Sequence, residues 1–170
     1  FIRMTPEKFE AIISELQVSK PLTEEQRAQI MQFVRALKEE IPTLREEYLF
    51  NREYPYICDG YAKEIARILR ERGLSAKEQV RQWPELKQLF IEDPKYNPEH
   101  HFVLCKIAGY NFIIDITTDQ FEKNGYAADE YQQLGVVVLP YEIAQKDHAR
   151  FWMYNGALSD SFRTVPEKER

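Results

Sequence analysis

The sequence predicts an α+β fold in which helices come first and an antiparallel sheet follows. In the first half of the chain, apolar residues recur at the spacing typical of amphipathic helices. In the second half, two β-rich runs on either side of Ala108-Gly109 indicate a hairpin. With 170 residues, of which 44% are hydrophobic, the chain can bury one sizeable core but is short for two. We therefore expect a single domain over residues 1–170, with a helical N-terminal part (1–50), a central core (51–140) and a C-terminal segment (141–170).

The composition disfavours several classes of function. A formal net charge of −5 argues against binding to the phosphates of a nucleic acid. No apolar run approaches the roughly 18 residues that a membrane-spanning helix needs. The three histidines and two cysteines form no spacing typical of a metal site, and we expect neither a metal nor a cofactor. Because the chain opens on Phe1 and its first residues are too few for a signal peptide, we expect a fragment or a trimmed form of a longer protein.

Three helices are predicted in the N-terminal part. Thr5-Pro6-Glu7 combines a capping residue with proline at the first helical position, and apolar residues follow at helical spacing until Lys20-Pro21. Thr23-Glu24-Glu25-Gln26 resembles a capping box and opens a second amphipathic helix, which we expect Pro42 to end. We expect a third, short helix from Thr43 through about Phe50.

The stretch from Tyr56 to Gly73 carries the strongest signal for function, a cysteine at the start of a predicted helix. After Cys58, apolar residues recur at helical spacing, and Gly73 stands where a helix with a left-handed C-terminal residue would stop. Cys58 thus falls at or near a helix N-terminus, where unpaired backbone N–H groups and the helix dipole favour an anion. A thiol in that place ionises more readily, and the thiolate is the reactive form. Free cysteine is more often a buried small hydrophobe, so this stretch alone leaves both a nucleophile and a core residue open.

A β-rich region follows this helix. Residues 75–83 favour a strand, with the start of another helix as the alternative. His100 to Ile107 and Tyr110 to Ile116 form the two arms of the predicted hairpin. The hairpin is therefore the centre of the predicted sheet.

The C-terminal segment carries weaker signals. Val136-Val137-Val138-Leu139 is typical of a buried strand closed by Pro140, and we expect a short helix within residues 141–154. Residues 159–170 have the composition of a polar tail that frays.

A hairpin brings its two far ends together. His101 begins the first arm and Asp115 closes the second, so we expect them within about one residue of facing each other across the ladder. A cysteine at a helix N-terminus, a histidine and an acid are the three parts needed for a thiol nucleophile, its base and the group that orients the base. We expect Cys58 to attack a carbonyl carbon as the thiolate, His101 to carry the proton, and Asp115 to fix the imidazole tautomer.

The motifs that carry these residues resemble the transglutaminase-like and papain-like cysteine hydrolase superfamily. The helical pattern CxGYAxxIAxxLxxxG begins at Cys58, and HxVxxxIxGYxFIIDITTDQF begins at His101. Ile114-Asp115-Ile116-Thr117 followed by Gln120-Phe121 is similar to the IDxTxxQF segment of bacterial members, which include effector-type glutamine deamidases and cysteine proteases. The resemblance covers residues 50–122.

The resemblance implies a papain-like or transglutaminase-like core, in which the cysteine begins a helix packed on an antiparallel sheet that bears the histidine and the acid. It implies Cys58 as nucleophile, His101 as base and Asp115 as orienting acid. His100 competes for the role of base, because neighbouring strand residues point to opposite faces. We favour His101, since Val103 matches the apolar residue of the family phrase. The resemblance further implies a bacterial protein that acts on another protein, and a secreted effector is one such setting.

We therefore predict a cysteine-dependent amide hydrolase or acyl-transfer enzyme whose catalytic core is residues 51–140 and whose substrate is a protein or peptide. Water acting on a glutamine-derived thioester would give deamidation, water on a backbone acyl group would give proteolysis, and an amine would give transglutamination. Among these reactions the resemblance favours glutamine deamidation or peptide cleavage, and the sequence does not choose between the two or specify an oligomeric state.

The alternative function is a protein-binding module that keeps the cysteine hydrolase fold without its chemistry. Tyr54, Tyr56 and Tyr61 would then form a recognition surface. A Cys58–Cys105 disulfide would contradict the triad, because Cys58 could hardly reach both Cys105 and His101 along one strand. We expect Cys105 in the core or on a face of the sheet.

Overall fold

Three helices open the chain, as the sequence predicts. The computed structural model describes residues 6–16, 21–51, 57–82, 99–117, 137–146, 154 and 163–164. The first three helices are α1 (Pro6–Leu16), α2 (Glu24–Glu39) and α3 (Ile41–Asn51). Successive helices pack against each other, α1 on α2 and α2 on α3.

The start of α2 is the predicted capping box. The hydroxyl of Thr23 accepts the backbone N–H of Gln26 at 3.1 Å, and the side-chain oxygen of Gln26 accepts the N–H of Thr23 at 2.9 Å. Two N–H groups without helical partners are satisfied in this way. Pro42 differs from the prediction, because it lies in the first turn of α3 instead of simply closing α2. Proline has no backbone N–H, but the N–H groups of a first turn have no partner within the helix, so proline is tolerated there. Helix α3 therefore begins at Ile41, before the predicted Thr43.

Helix α4 (Ile57–Glu71) is the predicted helix of the cysteine motif. It ends as the sequence indicates, with Gly73 in the left-handed region at φ 81°. The N–H of Leu74 then donates to the carbonyl of Leu69 at 3.0 Å, which pairs one of the last carbonyls of the helix. This closure turns the chain directly into the sheet.

One antiparallel sheet forms the other half of the fold. Its strands are β1 (Ser75–Gln82), β2 (Glu99–Ile107), β3 (Tyr110–Asp115), β4 (Val137–Pro140) and β5 (Arg163–Thr164), with a short helix α5 (Tyr141–Lys146) after β4. They lie in the order β4-β3-β2-β1-β5. The α+β class is therefore confirmed, and residues 75–82 are a strand rather than a helix.

The predicted hairpin of β2 and β3 is confirmed. Ala108 and Gly109 form its turn with φ values of 53° and 89°. Two successive residues with positive φ are typical of the tight turn that suits strand twist. Val103 then pairs with Ile114, and Cys105 pairs with Phe112.

The predicted fraying of residues 159–170 is wrong for Arg163–Thr164. These residues pair with β1, Gln79 opposite Thr164 and Val80 opposite Arg163. The outer edge of β1 carries backbone N–H and C=O groups that favour such a partner, and the polar composition of the segment gave no sign of it.

The two faces of the sheet have different neighbours. Helix α4 packs across β1 and β2, and its Ala62 and Ile65 belong to the same buried cluster as Val103 and Cys105. We call this side the helix face. Residues that alternate with these, such as Phe102, belong to the opposite side, which we call the far face.

None of the helices in the described part of the chain combines the length and the apolar character needed to cross a membrane.

Candidate active site

The adjacent histidines of β2 lie on opposite faces of the sheet. His101 alternates with Phe102 and shares the helix face with Val103, whereas His100 belongs to the far face. The ring of His100 stacks on that of Phe102, with 6.1 Å between centroids and 25° between planes. Both histidines are buried. Each therefore meets a different set of partners.

Asp115 closes a polar cluster on the far face. Its carboxylate contacts Nε2 of His100 and accepts the hydroxyl of Tyr154 at 2.7 Å and the N–H of Thr117 at 3.0 Å. Burial alone would raise the pKa of Asp115, but the charge and hydrogen bond of His100, the Thr117 N–H and the Tyr154 hydroxyl outweigh it. The pKa of Asp115 is consequently held below its ordinary value of 3.8.

This cluster corrects one of the predicted pairings. The sequence predicts that Asp115 orients His101, but its carboxylate contacts His100 instead. The physical reason is strand alternation. Continuing the register from Val103 and Ile114 puts Asp115 opposite Phe102, on the far face, while His101 faces the helix. Asp115 lies one residue along the ladder from the position opposite His101, as close as the sequence predicts. A shift of one residue, however, places its side chain on the other face of the sheet.

His101 has a different carboxylate as its partner. Oε1 of Glu78 lies 2.9 Å from Nδ1 of His101. Glu78 is fully buried and His101 is 7% exposed, so this contact lies within the protein interior. Glu78 pairs with Val103 across the ladder, and His101 is therefore its diagonal neighbour on the same face.

Cys58 is the second residue of α4, as the sequence predicts. Its side chain lies outside the part that the structure describes. Positions three and four residues apart share a helix face, so position 58 falls on the face that carries Tyr61 and Ala62. The first N–H groups of a helix lack helical partners and carry its positive dipole end, which favours an anion there.

A small pocket lies where the first half of α4 meets the open end of the hairpin. Its wall includes Tyr61, Ala62 and Ile65 from α4, and His101 from β2. The remaining lining residues come from the neighbouring strands and the chain just after β3, namely Phe102, Ile114, Asp115, Ile116 and Thr117. The turn of α4 that directly follows Cys58 therefore lines the same pocket as His101.

Arg45, a buried residue of α3, contacts one of the residues that line this pocket. A guanidinium nitrogen of Arg45 donates to the carbonyl of Ile116 at 2.5 Å, and the guanidinium carbon lies 4.9 Å from the ring centroid of Tyr48. Tyr48 in turn meets Tyr61 edge to face, with centroids 5.9 Å apart and planes at 84°. These contacts connect α3, the end of β3 and the pocket-facing turn of α4.

The second cysteine has the buried character that the sequence predicts. Cys105 is a free thiol, fully buried on the helix face among Ala76 and Phe112. Burial raises the pKa of its thiol to about 12. Such a thiol is inert at neutral pH, and a disulfide between Cys105 and Cys58 is not formed.

Glu78 is a site residue that the sequence-based prediction does not include. A signal is present, because Glu78 stands between Ala76 and Val80 in a strand whose alternate residues face the core. A carboxylate at such a position requires a buried partner.

Other predicted features fall outside the described residues. They are Tyr54 and Tyr56 of the alternative recognition surface, and Gln120-Phe121 of the hairpin motif.

Comparisons with protein-family models, with curated proteins and with solved structures found no match. Within the part of the chain that the structure describes, no group of three or more His, Cys, Asp or Glu side chains is arranged to hold a metal ion.

Proposed function

We propose that the chain is a cysteine-dependent amide hydrolase or acyl-transfer enzyme acting on a protein or peptide, with Cys58 as nucleophile and His101 as its base. The observation that carries the proposal is the environment of His101. This histidine is buried beneath α4 in a pocket lined by Tyr61 and Ala62, the helical turn that follows Cys58. A thiol at a helix N-terminus and an imidazole beneath the same helix are the two groups that thiol catalysis needs.

The proposed reaction begins with proton transfer from the Cys58 thiol to His101. The thiolate attacks the carbonyl carbon of the amide, and the electron pair of the C=O bond moves onto oxygen. Collapse of this tetrahedral species forms a thioester and breaks the C–N bond, and the leaving nitrogen takes its proton from His101. Water then attacks the thioester carbon and gives a proton to His101, the C–S bond breaks to release the carboxylic acid, and the Cys58 sulfur takes the proton back from His101.

The helix N-terminus contributes to this reaction in two ways. The N–H groups of a first helical turn have no partner within the helix and favour a thiolate there, which lowers the pH at which the nucleophile forms. The same groups are suited to the oxyanion of the tetrahedral species. The first turn of α4 supplies such groups.

We further propose a papain-like or transglutaminase-like core around this site. Support comes from α4, which begins one residue before the cysteine, and from the antiparallel sheet beneath it that carries His101. Glutamine deamidation and peptide-bond hydrolysis share the steps given above and differ only in whether ammonia or a peptide amine leaves.

The test is the rate at which iodoacetamide alkylates Cys58, measured from pH 5 to pH 10. A Cys105→Ser background restricts the reaction to one thiol, and His101→Ala is compared with the parent. We expect the parent to react rapidly below about pH 7, where an ordinary thiol with a pKa near 8.5 is mostly protonated. In His101→Ala this low-pH reactivity should disappear.

A profile with the ordinary thiol midpoint that the histidine substitution leaves unchanged would overturn the proposal. The protein-binding module would then be the better interpretation. If the expected profile is found, glutamine-containing peptides distinguish the two hydrolytic reactions, because deamidation releases ammonia and leaves the peptide intact, whereas proteolysis creates new peptide termini.

A further inference from the structure

We propose that Glu78 is the carboxylate that positions His101 for catalysis. This inference rests on the proposed function, and it assigns to a residue of β1 the role for which Asp115 of β3 was predicted. Glu78 acts through His101 and is therefore a positioning residue.

The geometry is that of an imidazole oriented by an acid. Oε1 of Glu78 lies 2.9 Å from Nδ1 of His101. When Nδ1 carries the proton and donates it to Glu78, the imidazole is held in one tautomer, with Nε2 as the nitrogen that accepts the proton of Cys58. Both residues lie on the helix face, beneath the helix that begins beside Cys58.

The position of Glu78 in the core argues for a role beyond packing. Its neighbours on the same face of β1 are Ala76 and Val80, both apolar and buried. An apolar residue at position 78 would continue this face without the cost of taking a carboxylate out of water. A fully buried glutamate that contacts His101 instead stabilises the positive charge of the imidazolium when it forms.

The proton balance of the step follows from this arrangement. The proton leaves Sγ of Cys58 and binds Nε2 of His101, which produces an imidazolium and a thiolate. The carboxylate of Glu78 stabilises the imidazolium through Nδ1–H and does not itself take the proton. The proton on Nε2 later passes to the leaving nitrogen, and the imidazole returns to its first tautomer.

Asp115 is unsuited to this role because its carboxylate is engaged on the far face. It contacts His100 and accepts hydrogen bonds from Tyr154 and Thr117. Within the described part of the chain, the titratable groups that line the pocket beside His101 are Tyr61 of α4 and Asp115. Glu78 contacts the ring of His101 from β1.

The experiment compares Glu78→Gln with Asp115→Asn in the Cys105→Ser background. Each variant replaces a carboxylate by an amide of the same shape, so the two are matched controls for each other. The readout is the pH profile of Cys58 alkylation by iodoacetamide. We expect Glu78→Gln to lower the pKa of His101 and so to reduce the population of the thiolate–imidazolium pair, which should lower the alkylation rate between pH 5 and pH 7 by about 10-fold or more. We expect Asp115→Asn, whose carboxylate contacts His100 and not His101, to change this rate by less than Glu78→Gln does.

Two results would overturn the inference. One is a Glu78→Gln profile that coincides with the parent, and the other is a change of rate in Asp115→Asn as large as that in Glu78→Gln. If His101→Ala has no effect, the proposed function itself fails. If His101→Ala abolishes the low-pH reactivity while Glu78→Gln does not move it, only the role of Glu78 fails.

A second measurement needs no variant at all. Long-range proton–nitrogen NMR correlations of the unmodified protein identify which ring nitrogen of His101 carries hydrogen in the neutral imidazole. We expect Nδ1, and a His101 that carries its hydrogen on Nε2 would overturn the inference independently of how Glu78→Gln folds.

Discussion

Replacing Asp115 by asparagine tests whether the far-face cluster is structural rather than catalytic. Asp115 is 2% exposed, and its carboxylate joins a strand end to His100, Tyr154 and Thr117. Asparagine keeps the shape and one acceptor oxygen but removes the charge. We therefore expect the fold to form and to be weaker, while the reactivity of Cys58 at neutral pH changes less than it does in Glu78→Gln.

The magnitude follows from the contacts that lose their charge. Hydrogen bonds to a charged group contribute about 1.5 to 3 kcal/mol each, and breaking a buried ion pair costs about 3 to 5 kcal/mol. The retained acceptor and the smaller desolvation cost of an amide offset part of this loss. We expect Asp115→Asn to lower the free energy of unfolding by about 3 kcal/mol, which a domain with a stability of about 5 to 15 kcal/mol can lose and still fold.

The assay is urea unfolding followed by circular dichroism, with Tyr154→Phe as a companion variant. Phenylalanine keeps the edge-to-face contact with Phe102, at 4.9 Å between centroids, and loses only the hydroxyl that donates to Asp115. We expect a loss of about 1.5 kcal/mol for this variant. The double variant should lose less than the sum of the two single losses, because both changes disrupt the same contact.

The effect of Asp115→Asn should also depend on pH in a defined direction. Burial opposes ionisation of Asp115, but His100, Thr117 and Tyr154 lower its pKa below 3.8 on balance. A lowered pKa means that the folded state releases the proton more readily than the unfolded state. The stabilisation is therefore fully present above pH 3.8 and is lost as the pH falls through the pKa of the folded state. A loss below about 1 kcal/mol at pH 7, or a difference between parent and variant that does not shrink at low pH, would refute this reasoning.

Two further predictions test the core and the ends of α4. Because burial raises the pKa of the Cys105 thiol to about 12, a disulfide-exchange reagent at pH 7.5 should titrate a single thiol in the folded protein and two after denaturation; two fast thiols in the folded state would contradict the placement of Cys105. A methyl group added at Gly60 or at Gly73 would meet open space, but only Gly73 has positive φ, at 81°. Gly60→Ala should therefore stabilise α4 by about 0.5 to 1 kcal/mol, whereas Gly73→Ala should destabilise the protein by about 1 kcal/mol. If thermal unfolding shows a change of the same sign for both variants, the placement of Gly60 inside α4 and of Gly73 just after it is contradicted.

Local chemistry made much of the fold predictable. The capping box at Thr23, the glycine at 73 and the Ala108-Gly109 turn each act over a few residues, and each is found where the sequence places it. The pairing of Arg163–Thr164 with β1 was not predictable in the same way, because it joins segments that are distant in the chain and leaves no local pattern.

The sequence predicts most residues of the site but not which carboxylate contacts which histidine. The sequence indicates a helix starting beside Cys58, the two histidines of β2 and the acid that ends β3. It could not assign the acid to the correct histidine, because moving one residue along a strand reverses the face. Glu78 was not predicted because the motif places the orienting acid on the strand that follows the histidine, whereas the contact comes from the strand that precedes it.

The central claim is that Cys58 and His101 act on each other, and chemical bridging tests it most directly. A short bis-electrophile such as dibromoacetone, whose two reactive carbons flank one carbonyl, first alkylates the most reactive thiol and then a nucleophile within reach. With Cys105→Ser as the background, we expect mass spectrometry of the digested protein to find Cys58 joined to His101, and His101→Ala to give only the singly attached product. A bridge from Cys58 to His100, or rapid attachment at Cys58 with no bridge to His101, would contradict the account.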